Sequence, residues 1–262
     1  MKVKIVTRFA PVTLEIKVKT TQSMKLQIIV SDADDTTRKF TNRYKTVNGE
    51  ETFLVRMPLS PNVSLVTVYA EKTGRNSTEE QEKQYFDIVS VRKLPLERRL
   101  DVSDFGNAAM KSFVSFAQKF SFNVGDLEPN TYASDDDRYF IRLSSVIKGK
   151  NGQVLTTPAR IGAKSGVIEC SKTAFDKMTV PMRFAILCHE FSHFYLNDKM
   201  TDEMEADLNG LLIYLGLGYP RIEAYQAFLE TFKGVPSEQN KDRYDTINRF
   251  INEFETMNMV IK

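Results

Sequence analysis

The five residues 189–193, His-Glu-Phe-Ser-His, constrain this chain more than any other stretch. They contain both histidines of the sequence, four positions apart, with a carboxylate directly after the first. Residues 182–196 are apolar almost all round, and Pro181 suits a first helical turn, so we expect a buried helix. Positions i and i+4 share one face of a helix. Two imidazoles placed there can bind a single Zn²⁺, with Glu190 beside the metal as a general base.

The alternative to a metal site is that His189 and His193 are two hydrogen-bonded histidines of the core. Three ionisable groups on a buried helix cost several kcal/mol in total unless they are paired. A bound cation would offset that cost. A chance match would also have to use every histidine of the chain. We therefore favour a metal site over two core histidines.

The third ligand is expected from the acidic residues that follow, because residues 201–207 open another helix. With Asp202 as the N-cap, Glu205 falls where a capping box would have it reach back to that cap. Glu203 and Asp207 share a helix face that Glu205 does not. A short loop would fold the two helices antiparallel and bring Glu203 to the histidines. We expect Glu203 as the ligand, with Asp207 and Glu205 as alternatives. Asp207, one turn deeper, could instead hold the outer ring N–H of a ligand histidine.

The motif H-E-x-x-H at residues 189–193, followed by E-x-x-A-D at 203–207, resembles the gluzincin group of zincin metallopeptidases. The resemblance covers roughly residues 166–219, with specificity only at the motif residues. It implies three zinc ligands, His189, His193 and Glu203. It also implies Glu190 as the general base and Asp207 as a residue that supports a ligand histidine.

Substrate binding is expected to use residues outside this motif. Many gluzincins stabilise the oxyanion with a further histidine, and none is left here. A tyrosine or arginine would have to serve, and three candidates follow in sequence: Tyr219, Arg221 and Tyr225. Peptidases of this chemistry commonly hold the substrate as an added strand at a sheet edge. We expect Gly166–Ser171 to be that edge.

Residues 1–96 are typical of β-strands. Residues 13–19 alternate strictly between apolar and polar side chains, and turn residues recur at near-regular spacing. Strands are expected at 2–9, 13–20, 25–30, 51–57, 64–70 and 85–94. About seven short strands predict an immunoglobulin-like β-sandwich. No catalytic pattern is visible there, so by fold analogy we expect this domain to dock to another protein.

Residues 97–262 are expected to form a zincin-like metallopeptidase domain, a small sheet packed on helices. Besides the metal helix and its successor, the pattern predicts a helix at 104–122, strands at 138–147 and 159–171, and helices at 220–233 and 237–257. The last helix carries an apolar stripe that we interpret as core, formed by Ile247, Phe250, Ile251 and Phe254. The predicted fold class is α+β, with domains at 1–96 and 97–262.

Charge and cysteine content limit the expected partners and cellular compartment of the protein. Residues 1–100 hold 18 Lys and Arg against 12 Asp and Glu, yet the net charge of the chain is only +2, which gives no specific nucleic-acid signal. Cys170 and Cys188 are flanked by apolar residues and are expected to be buried thiols rather than ligands. No secretion signal and no membrane-length apolar run is visible, so we expect a cytoplasmic protein without a membrane partner.

Two functions from different classes fit these expectations. The first is a zinc-dependent endopeptidase that cleaves a protein or peptide substrate, with Glu190 as the general base. The alternative is a structural or assembly protein that carries a metallopeptidase-like fold with structural or residual zinc. Small two-domain chains of this kind resemble accessory proteins of tailed-phage particles. The alternative therefore predicts a virion component within a large assembly.

Overall fold

Two units make up the chain in the computed structural model, Met1–Glu97 and Arg98–Lys262. The structure describes residues 1–70, 84–105, 107–232 and 237–256. The first unit consists of antiparallel strands, and the second combines a small sheet with helices, so the fold mixes α and β structure. Within those residue ranges, no helix is both long enough and apolar enough to cross a membrane.

Seven strands form two antiparallel sheets in the first unit. They are β1 (Lys2–Val6), β2 (Val12–Thr20), β3 (Met24–Asp32), β4 (Lys39–Val47), β5 (Glu50–Met57), β6 (Val63–Ala70) and β7 (Phe86–Leu94). One sheet has the order β1-β6-β3-β4 and the other β5-β2-β7. The sequence did not predict β4. This strand lies at a sheet edge and carries polar residues on both faces, so it lacks the alternation that marks the other strands.

The central strands of both sheets each bury one face. In β2, Leu14, Ile16 and Val18 have no exposed surface, and the residues between them are at least partly exposed. Burial with a period of two follows from the strand geometry and gives the unit a sandwich-like architecture. The strand order is not that of an immunoglobulin constant domain. There the first, second, fourth and fifth strands share a sheet, whereas here β1, β3, β4 and β6 do.

The second unit holds a four-stranded sheet in the order β10-β11-β9-β8. The strands are β8 (Thr131–Ala133), β9 (Phe140–Ser144), β10 (Ala159–Ile161) and β11 (Ile168–Ser171). The parallel pair is β11 with β9, and the other pairs are antiparallel. The single strand predicted at 159–171 is therefore a hairpin of β10 and β11, and β8 was not predicted. At the turn between β10 and β11, Gly166 has φ +64°, a left-handed conformation that favours glycine.

Six α-helices complete the described part of the second unit, together with a 3₁₀ turn at Val102–Asp104. They are α1 (Ala108–Asn123), α2 (Lys172–Phe175), α3 (Val180–Tyr195), α4 (Glu203–Gly216), α5 (Arg221–Phe232) and α6 (Glu238–Thr256). The apolar stripe of α6 lies in the core as predicted, with Ile247, Ile251 and Phe254 buried and Phe250 packed against them. Cys170 and Cys188 are buried and free, also as predicted.

Helix α3 is the buried helix that the sequence predicted. Thr179 caps it by accepting a hydrogen bond from the Met182 N–H, and Pro181 occupies the first turn. Every residue from 180 to 193 is buried. Helix α4 packs closely on α3 at Gly210. A Cβ added there would lie only 2.9 Å from the backbone nitrogen of His189. This close backbone approach fixes the position of α4 relative to the two histidines.

Candidate metal centre

Both histidines project from α3 toward one point. His189 and His193 are buried, and their Nε2 atoms lie 3.1 Å apart. Their rings are nearly perpendicular, at 87°. The i and i+4 spacing places the rings one turn apart on the same face. The two Nε2 atoms are therefore the natural pair of donors for a single cation.

The outer nitrogens of these rings contact groups that only accept hydrogen bonds. His193 Nδ1 donates to the carbonyl of Met200 at 2.8 Å. His189 Nδ1 lies 2.9 Å from Asp207 Oδ1, in a bent contact rather than a linear hydrogen bond. Both contacts favour a proton on Nδ1, which leaves a lone pair on each Nε2. With a lone pair on each Nε2, the two rings could bind one metal ion together.

Glu203 brings the third donor from the first turn of α4. Its Oε1 lies 3.6 Å from His193 Nε2, and its Oε2 lies 3.6 Å from His189 Nε2. The three side chains each offer a ligand atom, and these atoms lie within 4.8 Å of one another. The residues His189, His193 and Glu203 are thus positioned to bind a metal ion.

The two alternative acids take other roles. Asp202 is the N-cap of α4, as predicted, and its carboxylate accepts from the Glu205 N–H at 3.0 Å. Glu205 does not reach back to the N–H of this cap, so that half of the predicted capping box is wrong. The Glu205 carboxylate accepts instead from the Asp198 N–H at 3.2 Å. Asp207, one turn deeper in α4, is completely buried beside His189.

Arg243, on α6, completes the site and was missed by the sequence reasoning. Its Nε and Nη2 donate to the two carboxylate oxygens of Asp207 at 2.7 and 3.0 Å. Its Nη2 also lies 3.0 Å from Glu203 Oε2. One guanidinium therefore contacts both Glu203 and Asp207. The available signal was its place one helical turn before Ile247, on the buried stripe of the last helix.

The charges of these groups shift the pKa values of their neighbours. Burial alone would lower the pKa of His189, but the close contact with the charged Asp207 carboxylate raises it above its usual value. Burial likewise opposes ionisation of Asp207, yet His189 and Arg243 hold its pKa below the usual range. The pKa of His193 is lowered by burial and by the neighbouring His189. Asp207 and Arg243 therefore form an ionised pair under the ligand residues.

Glu190 lies beside the metal-capable cluster, in the same cavity. Its side chain is buried, and burial raises its pKa to about 7, against the opposing effects of His189 and of a hydrogen bond from the Ile161 backbone. A carboxyl group with a pKa near neutrality can both accept and release a proton at physiological pH. The buried position of Glu190 in the same cavity as the cluster fits a general base.

The cavity at the cluster has a volume of about 340 Å³ and runs along β10. Arg160 and Arg243 are among its lining residues. The oxyanion candidates predicted from sequence do not line it. Tyr219 is buried and accepts a hydrogen bond from Gln118, Tyr225 donates to Asn248, and Arg221 is exposed.

The predicted substrate edge, Gly166–Ser171, is also wrong. β11 lies between β10 and β9, so its backbone has neighbours on both sides. The edge beside the cavity that is free of a neighbouring strand is that of β10, whose residues Ala159, Arg160 and Ile161 all line the cavity. Two of its backbone groups contact side chains, since the Ala159 carbonyl accepts from Thr157 and the Ile161 backbone hydrogen-bonds Glu190. The order of the strands, which depends on the parallel pairing of β9 with β11, determines which strand is at the edge.

Comparisons with known proteins add no family assignment. A scan against protein-family models finds no match, and searches of curated proteins and of solved structures find none either. What the structure shows is a cluster of two histidines and a glutamate, spaced as in metal sites of the H-E-x-x-H type. The functional assignment therefore depends on the geometry of this cluster.

Proposed function

We propose that this protein is a zinc-dependent endopeptidase of the zincin type, with His189, His193 and Glu203 as metal ligands and Glu190 as general base. The observation that supports this most directly is the convergence of two buried Nε2 atoms and one carboxylate beside a second, buried carboxylate. Three protein ligands with one position left for water are the pattern of catalytic zinc sites.

The distances fit zinc. Ligand atoms about 2.0–2.1 Å from one tetrahedral ion lie about 3.3 Å from each other. The two Nε2 atoms are 3.1 Å apart, and each lies 3.6 Å from a different oxygen of the Glu203 carboxylate, Oε2 for His189 and Oε1 for His193. Two histidines and a carboxylate also bind non-haem iron in oxygenases. Glu190 favours zinc, because hydrolysis needs a proton acceptor beside the attacking water.

In the proposed reaction, bound zinc would supply a Lewis acid that activates water and polarises the scissile carbonyl. Glu190 takes the proton from the attacking water and passes a proton to the leaving amine. Asp207 holds the outer nitrogen of His189, and Arg243 keeps both Asp207 and Glu203 in place. These contacts preserve the orientation of the ligands during the reaction.

The free edge of β10 would hold the substrate. An extended peptide added to a sheet edge is fixed by backbone hydrogen bonds. Arg243 lines the same cavity, contacts the ligand Glu203 and is the cationic donor nearest to the cluster for the developing oxyanion. In this proposal Arg243 takes the place of the missing third histidine.

Metal analysis combined with two variants tests the proposal. The purified protein is expected to contain about one zinc per chain, and His193→Ala should lose it. Glu190→Gln should keep the zinc and lose cleavage of a peptide library. Glu205→Gln, on the same helix as Glu203 but outside the cluster, is the matched control and should keep both. Iron in place of zinc, or cleavage by Glu190→Gln at the parent rate, would overturn the assignment.

Docking through the first unit stays a prediction, as do the phage-particle alternative and the cytoplasmic location. That unit exposes apolar side chains that a partner could cover, among them Phe9, which is 63% exposed. Isolated exposed apolar residues are common on soluble proteins, however. The endopeptidase assignment is preferred, because the cluster and its base provide specific geometry for it.

A further inference from the structure

A basic surface on the small sheet adjoins the metal cavity. Four cationic residues, here called the basic face, line two hollows of about 360 and 510 Å³: Arg142, Lys148, Lys150 and Arg160. Arg160 lines the metal cavity as well as both hollows. Among the described residues that line the hollows, Glu169 is the single acid. The basic face therefore has a positive surplus directly beside the candidate catalytic centre.

Strand register places the charged groups of the sheet on one side. Arg160 of β10 pairs with Glu169 of β11, which pairs in turn with Arg142 of β9. Paired residues on neighbouring strands point to the same face of a sheet. Ile168 and Cys170, the two neighbours of Glu169 in β11, are buried on the opposite face. The arginines therefore stand on the outer face of the sheet.

Glu169 holds the two arginines in place. Its Oε1 accepts from Arg142 Nη1 at 3.2 Å, and its Oε2 accepts from Arg160 Nε at 2.6 Å. Arg160 Nη2 also donates to the Lys148 carbonyl at 3.1 Å. One carboxylate cannot neutralise two guanidinium groups. The remaining charge, together with the two lysines, is available to a ligand.

A peptide on the free edge of β10 would present half of its side chains to this face. Successive side chains of an extended chain point to opposite faces of the sheet. Every second residue of the peptide would therefore lie on the side of Arg160, and the others on the side of α3. An aspartate or glutamate on the Arg160 side would meet the positive surplus.

We propose that the site selects peptides with an acidic side chain at the position beside Arg160. The inference rests on the proposed peptidase function and names its substrate class. A peptide fits the basic face better than a nucleic acid does. Single-stranded nucleic acids need aromatic side chains for stacking, and the described residues that line the two hollows include none.

Peptide binding tests this independently of cleavage. The probes are two fluorescein-labelled decapeptides, one of alternating Ala and Glu and one of alternating Ala and Gln. Zinc-loaded Glu190→Gln protein is expected to bind the Glu peptide about tenfold more tightly in fluorescence anisotropy, as for a charge-assisted hydrogen bond. Adding Arg160→Gln should reduce that preference to about twofold, and Lys148→Gln should reduce it in part.

Controls separate the possible outcomes. Lys119→Gln removes an exposed lysine of α1 that does not line the hollows and should leave the preference unchanged. Equal binding of the two decapeptides overturns the inference. Displacement of the Glu peptide by an equal concentration of oligo-dT overturns it in favour of nucleic acid.

Cleavage by the unmodified protein distinguishes the two proposals. If it cuts the Glu and Gln peptides equally well, the substrate preference is wrong and the peptidase function stands. If it cuts neither peptide nor any member of a library, although the Glu peptide binds more tightly, the peptidase function is wrong and the acidic binding site stands.

Discussion

Replacing Arg243 with methionine should destabilise the second unit by about 3–5 kcal/mol, the usual cost of removing one partner of a buried ion pair. The Arg243 side chain is only 10% exposed, and it donates to both carboxylate oxygens of Asp207. Asp207 is completely buried, so the variant would retain a buried charge with only the bent contact to His189. Methionine preserves much of the apolar stem of the arginine, which limits the loss of packing.

The partner variant separates charge from packing. Asp207→Asn removes the buried charge and preserves the shape of the side chain, and it should cost about 1.5–3 kcal/mol through weaker hydrogen bonds. In the double variant the asparagine needs no counter-charge. We therefore expect the double variant to cost less than the sum of the single variants, by about 1–3 kcal/mol, as for residues in direct contact.

Urea unfolding in the presence of a chelator, followed by far-UV circular dichroism, measures these differences. A chain with two units can unfold in two transitions. The transition of the second unit is the one that added zinc moves to higher urea, because a ligand stabilises the unit that binds it. If the costs of Arg243→Met and Asp207→Asn add to within about 0.5 kcal/mol, the ion pair is not the source of stability and the reasoning fails.

Two further predictions concern the metal and the helix contact. Metal retention in equilibrium dialysis should fall as the pH drops below neutral, because protons compete for His189, whose pKa Asp207 raises; retention independent of pH from 8 to 5 would contradict this. Replacing an exposed glycine inside a helix with alanine usually raises the free energy of unfolding by up to about 1 kcal/mol. Gly210→Ala should instead lose stability in the same urea assay, because its Cβ would meet the α3 backbone at His189 and Cys188; a gain would show that the helices can separate freely.

Local rules of helix formation could predict the ligand set. His189 and His193 share one helix, and Glu203 lies in the first turn of the next, so the three residues span only a short stretch of chain. The caps Thr179 and Asp202 mark where those helices begin. Periodicity and capping are sufficient to place such neighbours, because no distant part of the chain is needed to bring them together.

Contacts between distant segments could not be predicted in this way. Arg243 lies 36 residues after Asp207, and the apolar pattern of α6 shows which of its faces is buried but not which acid that face meets. The error at Gly166–Ser171 has the same origin. A strand-like composition does not reveal the order of strands in a sheet. Because β11 pairs with β9 on one side and with β10 on the other, the edge strand is β10.

The charge balance of the centre links its structure to its proposed chemistry. With both imidazoles neutral, Glu190, Glu203 and Asp207 carry three negative charges and Arg243 one positive charge. A divalent cation would neutralise the remaining two, which makes it tolerable to have two buried acids, Glu190 and Asp207, beside the partly exposed Glu203. Without the cation, burial raises the pKa of Glu190 to about 7, so a proton takes over part of that neutralisation. The protonation of Glu190 is therefore expected to depend on charge at the metal position, as the proposed role of a base in metal-assisted hydrolysis requires.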